Sequence, residues 1–308
     1  MNANHEKISR RRFLGALAAG SAGIAAMPHF LSAAKTVKLS AIDQVPLGKS
    51  GIKFSRLGFG TGSMGGRVQR ELGQAKFTAL VRHALDRGIT YFDTADNYRG
   101  MHEMLREALK GVDREKIQIQ CKIWPGRHEE PLKEIDRFRK EVGTDYFDSL
   151  LIHCVQTPGW AEELKRLRDA LDEAREKKII RARGVSVHGL PGLKAVAESS
   201  WGDVRLVRVN HNGTHMDGPT GKWAEPGQVK PVINHVKKMH AAGKGIIAMK
   251  LIGNGDFVNA QTREQSIRFV MGLECVDAAV IGFKSPQEID EAIRRINRAL
   301  EARAAKAA

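Results

Sequence analysis

Short apolar runs recur along the chain at roughly 56–60, 89–93, 117–122, 147–153, 180–186, 204–210, 245–250 and 278–282. Each is bounded by Gly, Asp, Asn or Ser, which is how buried strands are punctuated. Between them lie segments with helical period. In 72–87 the apolar positions are Phe77, Leu80, Val81, Ala84 and Leu85, and the opposite face is polar. Segments 132–142, 161–177 and 229–242 follow the same rule, and 287–308 is a last, Arg-rich amphipathic stretch. Strands that alternate with helices predict a parallel sheet. Eight such units suit a closed (β/α)8 TIM barrel better than an open doubly wound sheet. Ahead of them, 45–55 reads as a β-hairpin turning at Lys49-Ser50-Gly51. No composition break divides residues 35–308, so one domain is expected there. The Gly- and Pro-containing stretch 212–231 falls inside one unit and reads as a long loop, either the rim of a site or plain surface.

The chain of 308 residues has 42% hydrophobic and 28% charged residues, which excludes disorder as its main state. The formal charge of +15 raises the question of nucleic acid. Most Lys and Arg sit among acids on the helical segments, as in 165–169 and 173–178. That is the pattern of a solvated face. Aromatics are only 6% and form no stripe with the basic residues, so nucleic-acid binding is not expected. Part of the excess charge lies in residues 1–34, where Lys7, Arg10, Arg11 and Arg12 face only Glu6. There a basic segment, a short Ala/Gly-rich apolar stretch and the small residues Ser32-Ala33-Ala34 follow one another, as in a secretory signal. The order Ser9-Arg10-Arg11-Arg12-Phe13-Leu14 resembles the twin-arginine export signal. That resemblance implies recognition by the Tat machinery, export to the periplasm in a folded state, often with a cofactor loaded, and no stable membrane span after processing. The three cysteines, Cys121, Cys154 and Cys275, lie in apolar strand-like runs and read as buried residues without a disulfide framework. Strand alternation is expected to point Cys121 and Cys154 outward. No CxxC spacing exists, and no metal is expected.

The active site of such a barrel lies at the carboxyl ends of its strands. Three neighbouring strands end in Asp93, Lys122 and His153, and Tyr98 follows the first of them on a loop. A lysine inside a barrel needs a partner, and Asp93 is available. The arrangement suits reduction of an aldehyde or ketone. Tyr98 would donate the proton, Lys122 would lower its pKa, Asp93 would hold Lys122, and His153 would orient the carbonyl. These residues supply no hydride, so a nicotinamide cofactor must.

From Val45 to Ile293 the chain resembles the aldo-keto reductases. The resemblance rests on Pro46 to Gly51, on Leu57 to Gly62, on Gly88 through Tyr98 with the Asp-to-Tyr spacing intact, and on Lys122 and His153 in order. It implies that Trp124 forms a wall of the substrate pocket, with His188 near it. It implies contacts to the dinucleotide from Gly60, Thr61, Ser186 and Asn210, and from Met249, Lys250 and Gly253 over the nicotinamide and pyrophosphate. Gly282, Lys284, Ser285 and Glu288 would meet the adenosine phosphates, where a helix N-terminus favours anions. The chain departs from the family pattern at Val187, Leu206 and Met249. Glu288 would repel a 2′-phosphate and Lys284 would attract one, so both NADP and NAD stay open. A nucleotide-binding sensor or accessory protein of the same fold with little turnover is the alternative. An unrelated barrel hydrolase or isomerase lacks the paired carboxylates or metal ligands it would need.

Overall fold

The computed structural model describes residues 38–307 apart from 127–128 and 223–224. Residues 1–34, expected to be an export signal, and Trp223 of the long loop lie outside the described residues.

A hairpin comes first, with β1 (Gln44–Pro46) antiparallel to β2 (Lys53–Ser55). Its turn passes through Gly48 at φ +51, and a Cβ there would lie 2.5 Å from the Gly243 carbonyl oxygen. Only glycine allows that approach. Eight parallel strands then close a barrel. They are β3 (Leu57–Gly60), β4 (Tyr91–Asp93), β5 (Gln118–Ile123), β6 (Phe147–Val155), β7 (Ile180–Val187), β8 (Val204–Arg208), β9 (Gly245–Met249) and β10 (Ala278–Ile281). Each pairs with its neighbours in sequence, and β10 returns to β3. This is the (β/α)8 TIM barrel with an N-terminal hairpin that the apolar runs predict.

Two apolar layers follow from strand alternation. The inner one holds Tyr91, Leu151, Ala182, Val204, Leu206, Ile247 and Val280, and the hairpin adds Val45, Leu47 and Phe54 to it. The hairpin therefore plugs one end of the barrel, with the Phe54 and Tyr91 ring centroids 4.5 Å apart. The outer layer packs Phe92, Cys121, Leu150, Ile152 and Val207 against the helices. Those helices include α1 (Arg67–Arg70), α2 (Gly73–Asp86), α3 (Met101–Ala108), α4 (Pro131–Val142), α5 (Trp160–Glu163) and α6 (Lys165–Glu176). They continue with α7 (Leu190–Glu198), α8 (Val229–Ala241), α9 (Ala260–Met271) and α10 (Pro286–Ala307). In α2 the buried face is Phe77, Leu80, Val81 and Ala84, as its period requires. The helices α3, α7 and α9 were not singled out by period. The first is only eight residues long, and α7 opens Leu190-Pro191-Gly192, which reads locally as a turn. No helix among the described residues is long and apolar enough to cross a membrane.

One orientation departs from alternation. Cys121 points outward as expected, its Sγ 3.5 Å from His102 Nε2 on α3. Cys154 does not. The register of β6 against β7 shifts between Ile152 and Val155, and Cys154 takes φ +55. This bulge turns the thiol inward beside His153 instead of onto the helices.

Candidate active site

A cleft of about 870 Å³ opens at the carboxyl ends of the strands. It gathers Gly60, Asp93, Tyr98, Lys122, Trp124, His153, Ser186, His188, Met249, Lys250, Gly282, Lys284 and Glu288. Thirteen of the seventeen residues singled out from the sequence thus share one cavity. Thr61, Asn210, Gly253 and Ser285 do not line it, and three of them have visible structural tasks. Thr61 donates its hydroxyl to the Asp93 carbonyl oxygen at 3.0 Å. Asn210 ties the long loop to β9, accepting from Gly213 N at 2.9 Å and donating to Thr214 O at 2.6 Å and Lys250 O at 3.2 Å. Ser285 caps α10 by accepting from Glu288 N at 3.3 Å.

At the centre Lys122 is buried, and its Nζ donates to Asp93 Oδ1, Asp93 Oδ2 and Thr94 O, each at 2.7 Å. Gln120 Nε2 steadies the carboxylate by donating to Asp93 Oδ1 at 2.8 Å. All three ammonium protons are therefore committed. Lys122 Nζ nevertheless stands 5.1 Å from the centre of the Tyr98 ring, close enough for its field to act. The phenol end of Tyr98 packs on Gly62, where a Cβ would come within 2.5 Å of the hydroxyl. His153 meets Tyr98 edge to face at 5.7 Å between centroids, and Trp124 meets His153 at 5.4 Å.

The expected lowering of the Tyr98 pKa is not what this arrangement does. Burial, then the Asp93 carboxylate, pushes the phenol well above its ordinary 10. Asp93 matches most of the Lys122 charge, so the field that reaches Tyr98 does not outweigh burial. Tyr98 is held as an acid with its proton on. Burial, aided by Lys122 and Lys250, drives the His153 pKa well below 6.5. His188 is shifted the same way by burial and by Arg208. Both imidazoles are neutral hydrogen-bonding groups at pH 7. Burial also raises the Cys154 thiol to about 12.

The other wall of the cleft is cationic. Burial and Arg208 bring Lys250 down to about 8, and its Nζ donates to Asn254 Oδ1 at 2.7 Å. Asn254 in turn donates to Met64 Sδ at 3.3 Å, linking the segment after β9 to the segment after β3. Glu288 lies at the start of α10 and accepts from Lys284 N at 2.7 Å, so the helix N-terminus already has a carboxylate on it. Gly60, Gly62, Gly65 and Gly282 line the cleft without side chains, and a Cβ at Gly282 would collide with Ser63 Oγ at 2.1 Å. A deep cleft with a glycine-lined wall and buried or adjacent cations fits an elongated anionic dinucleotide.

One contributor was missed in the sequence. Arg208 lines the cleft from the end of β8, buried, and its Nε donates to Asp217 Oδ1 at 2.7 Å. Asp217 also accepts from Gly189 N at 2.7 Å. Period two from the inward Leu206 was the available signal for Arg208. Nothing local announced Asp217 as its partner. The long loop does reach the rim, where His215 lines the cleft and pairs with Asp256 at 2.8 Å.

The model of the aldo/keto reductase family matches residues 56–306. The chain belongs to that family. Among known proteins it is 31% identical over 140 residues to the 9,11-endoperoxide prostaglandin H2 reductase of Trypanosoma cruzi, covering 44% of this chain and 45% of that one. It is 26% identical over 163 residues to the L-galactose dehydrogenase of Arabidopsis thaliana, covering 50% of each. The chain thus spans about half the length of the curated relatives it matches. In the solved structures, the holo form of a Bacillus halodurans aldo-keto reductase superposes with a TM-score of 0.66 at 16% identity, over 85% of this chain and 96% of that one. A Klebsiella pneumoniae aldo/keto reductase in complex with NADP and acetate gives 0.60 at 16%, over 83% and 90%. These superpositions establish the shared barrel.

Proposed function

We propose that this aldo/keto reductase family member is an NAD(P)-dependent oxidoreductase that interconverts a small carbonyl compound and its alcohol. The reading is carried by one observation. A phenol held protonated, a neutral imidazole and a paired ammonium converge at the floor of a cleft suited to a dinucleotide.

A reduced nicotinamide bound in the cleft supplies the hydride. The protein's own residues manage the oxygen. Tyr98 donates its hydroxyl proton to the carbonyl oxygen as negative charge gathers there. His153 donates a hydrogen bond to the same oxygen and orients it. Lys122 has no proton to spare, so it contributes its field, which stabilises the phenolate left behind. Asp93 holds that charge in place. Trp124, 38% exposed, offers an apolar wall to the substrate, and His188 a polar one. Lys250, Lys284 and the Gly282 turn are assigned to the dinucleotide phosphates, and Ser186, Met249 and Gly60 to the nicotinamide end. A Klebsiella aldo/keto reductase of the same fold is solved with NADP, which supports a dinucleotide as the occupant of the cleft. Residues 1–34 are assigned to twin-arginine export, and the periplasm is the proposed destination.

The test is NAD(P)H oxidation with a panel of aldehydes and quinones. Tyr98→Phe should lower kcat about 10²–10⁴-fold, the range of a lost general acid. At saturating NAD(P)H, kcat of the native protein should stay level from neutral pH to pH 10, since the fold keeps Tyr98 protonated, while KM for the dinucleotide should rise above pH 8 as Lys250 loses its charge. Unchanged turnover in Tyr98→Phe would overturn the mechanism. A nucleotide retained through purification without any carbonyl-dependent oxidation would support the sensor alternative.

A further inference from the structure

The bulge in β6 has no part in the chemistry above, yet it creates a cluster. One ring nitrogen of His153, Sγ of Cys154 and one ring nitrogen of His188 lie within 4.8 Å of one another, and all three residues are buried. All three line the cleft. His153 Nδ1 is buried and has no hydrogen-bond partner. The bulge at φ +55 is what brings the thiol to the imidazoles. Without it Cys154 would face the helices.

We propose that His153, Cys154 and His188 form a binding site for a monovalent soft d¹⁰ cation, Cu⁺, which engages the carbonyl-orienting His153 and shuts off turnover. Thiolate and imidazole together are ligands for a soft ion. Metal–ligand bonds of about 2.0–2.3 Å would set the donor atoms roughly 3.5–4 Å apart, so side-chain rotations of about 1 Å close the site. Zinc is disfavoured on charge. Lys122, Arg208 and Lys250 are all within electrostatic reach of the thiol, so a second positive charge would be repelled. Cu⁺ with one thiolate is neutral overall and is content with two or three ligands. On binding, the Cys154 S–H bond breaks, an S–Cu bond forms and the proton leaves to solvent. No electron moves.

Binding stands by itself, whereas inhibition rests on the oxidoreductase reading. The full-length protein is titrated anaerobically with Cu⁺ against a colorimetric Cu⁺ chelator. One Cu⁺ per chain should be withdrawn from the chelator. Cys154→Ser should weaken this at least 100-fold and His188→Gln about tenfold, while Cys275→Ser leaves it unchanged. In parallel, one equivalent should reduce NAD(P)H oxidation by the native protein to under a tenth. Cys154→Ser, normalised to its own rate, should keep its rate. A chelator that retains all the copper overturns the site, and so does binding abolished by Cys121→Ser, which would move it to the Cys121–His102 contact. Absence of carbonyl-dependent turnover in the copper-free protein would overturn the oxidoreductase reading instead, and the chelator titration would still decide the site.

Discussion

Asp93→Asn removes one charge from the buried ion pair at the floor of the cleft and changes almost no volume. In the native protein Lys122 is 1% exposed and Asp93 5% exposed, with both carboxylate oxygens 2.7 Å from Nζ. At that distance and an effective dielectric constant of about 20, the gross attraction is about 6 kcal/mol. Most of it offsets the several kcal/mol that each ion loses on leaving water. The substitution takes away the attraction and leaves the desolvated ammonium with Thr94 O and one amide oxygen. Breaking a buried pair from one side costs about 3–5 kcal/mol. For a domain of this size that lowers Tm by roughly 6–20 °C. Lys122→Met should cost a similar amount, because it strands the carboxylate with Gln120 alone. The double variant should recover much of the loss, since neither charge then remains uncompensated. The assay is denaturant unfolding of all four proteins, read as a double-mutant cycle. An Asp93→Asn loss below 1 kcal/mol, or additive single losses, would refute the claim that the pair is desolvated and mutually dependent.

Other outcomes follow from the same geometry. Stability should fall as pH drops below 6.5, because burial keeps His153 and His188 neutral in the fold while the unfolded chain takes up protons. The two together give a slope of up to about 2.7 kcal/mol per pH unit, measured by unfolding between pH 7 and 5, and His153→Gln should about halve it. Gly62→Ala places a methyl against the Tyr98 hydroxyl and should lower kcat about 10–100-fold with little change in Tm. Glu288→Gln should raise the preference for NADPH over NADH about five- to tenfold in competition kinetics, since a unit-charge pair about 4 Å apart in water is worth about 1 kcal/mol.

The sequence alone determined the barrel, because its information is periodic and local. Apolar runs with helical segments between them leave few ways to bury every strand, and a right-handed parallel barrel is the compact one. It also determined which polar residues stand at the strand ends, so Asp93, Tyr98, Lys122 and His153 were legible before any coordinates. Only the tertiary structure decided what those residues have left to give. The count of Lys122 protons depends on Thr94 O, which no motif names. The protonation of Tyr98 depends on burial by the whole site. The direction of Cys154 depends on a register shift against β7, and strand alternation argued the opposite. The pairing of Arg208 with Asp217 depends on how a long loop folds back over β8. Period and composition describe one segment at a time. Hydrogen-bond saturation, desolvation and bulges arise between segments, and so they exist only once the barrel has closed.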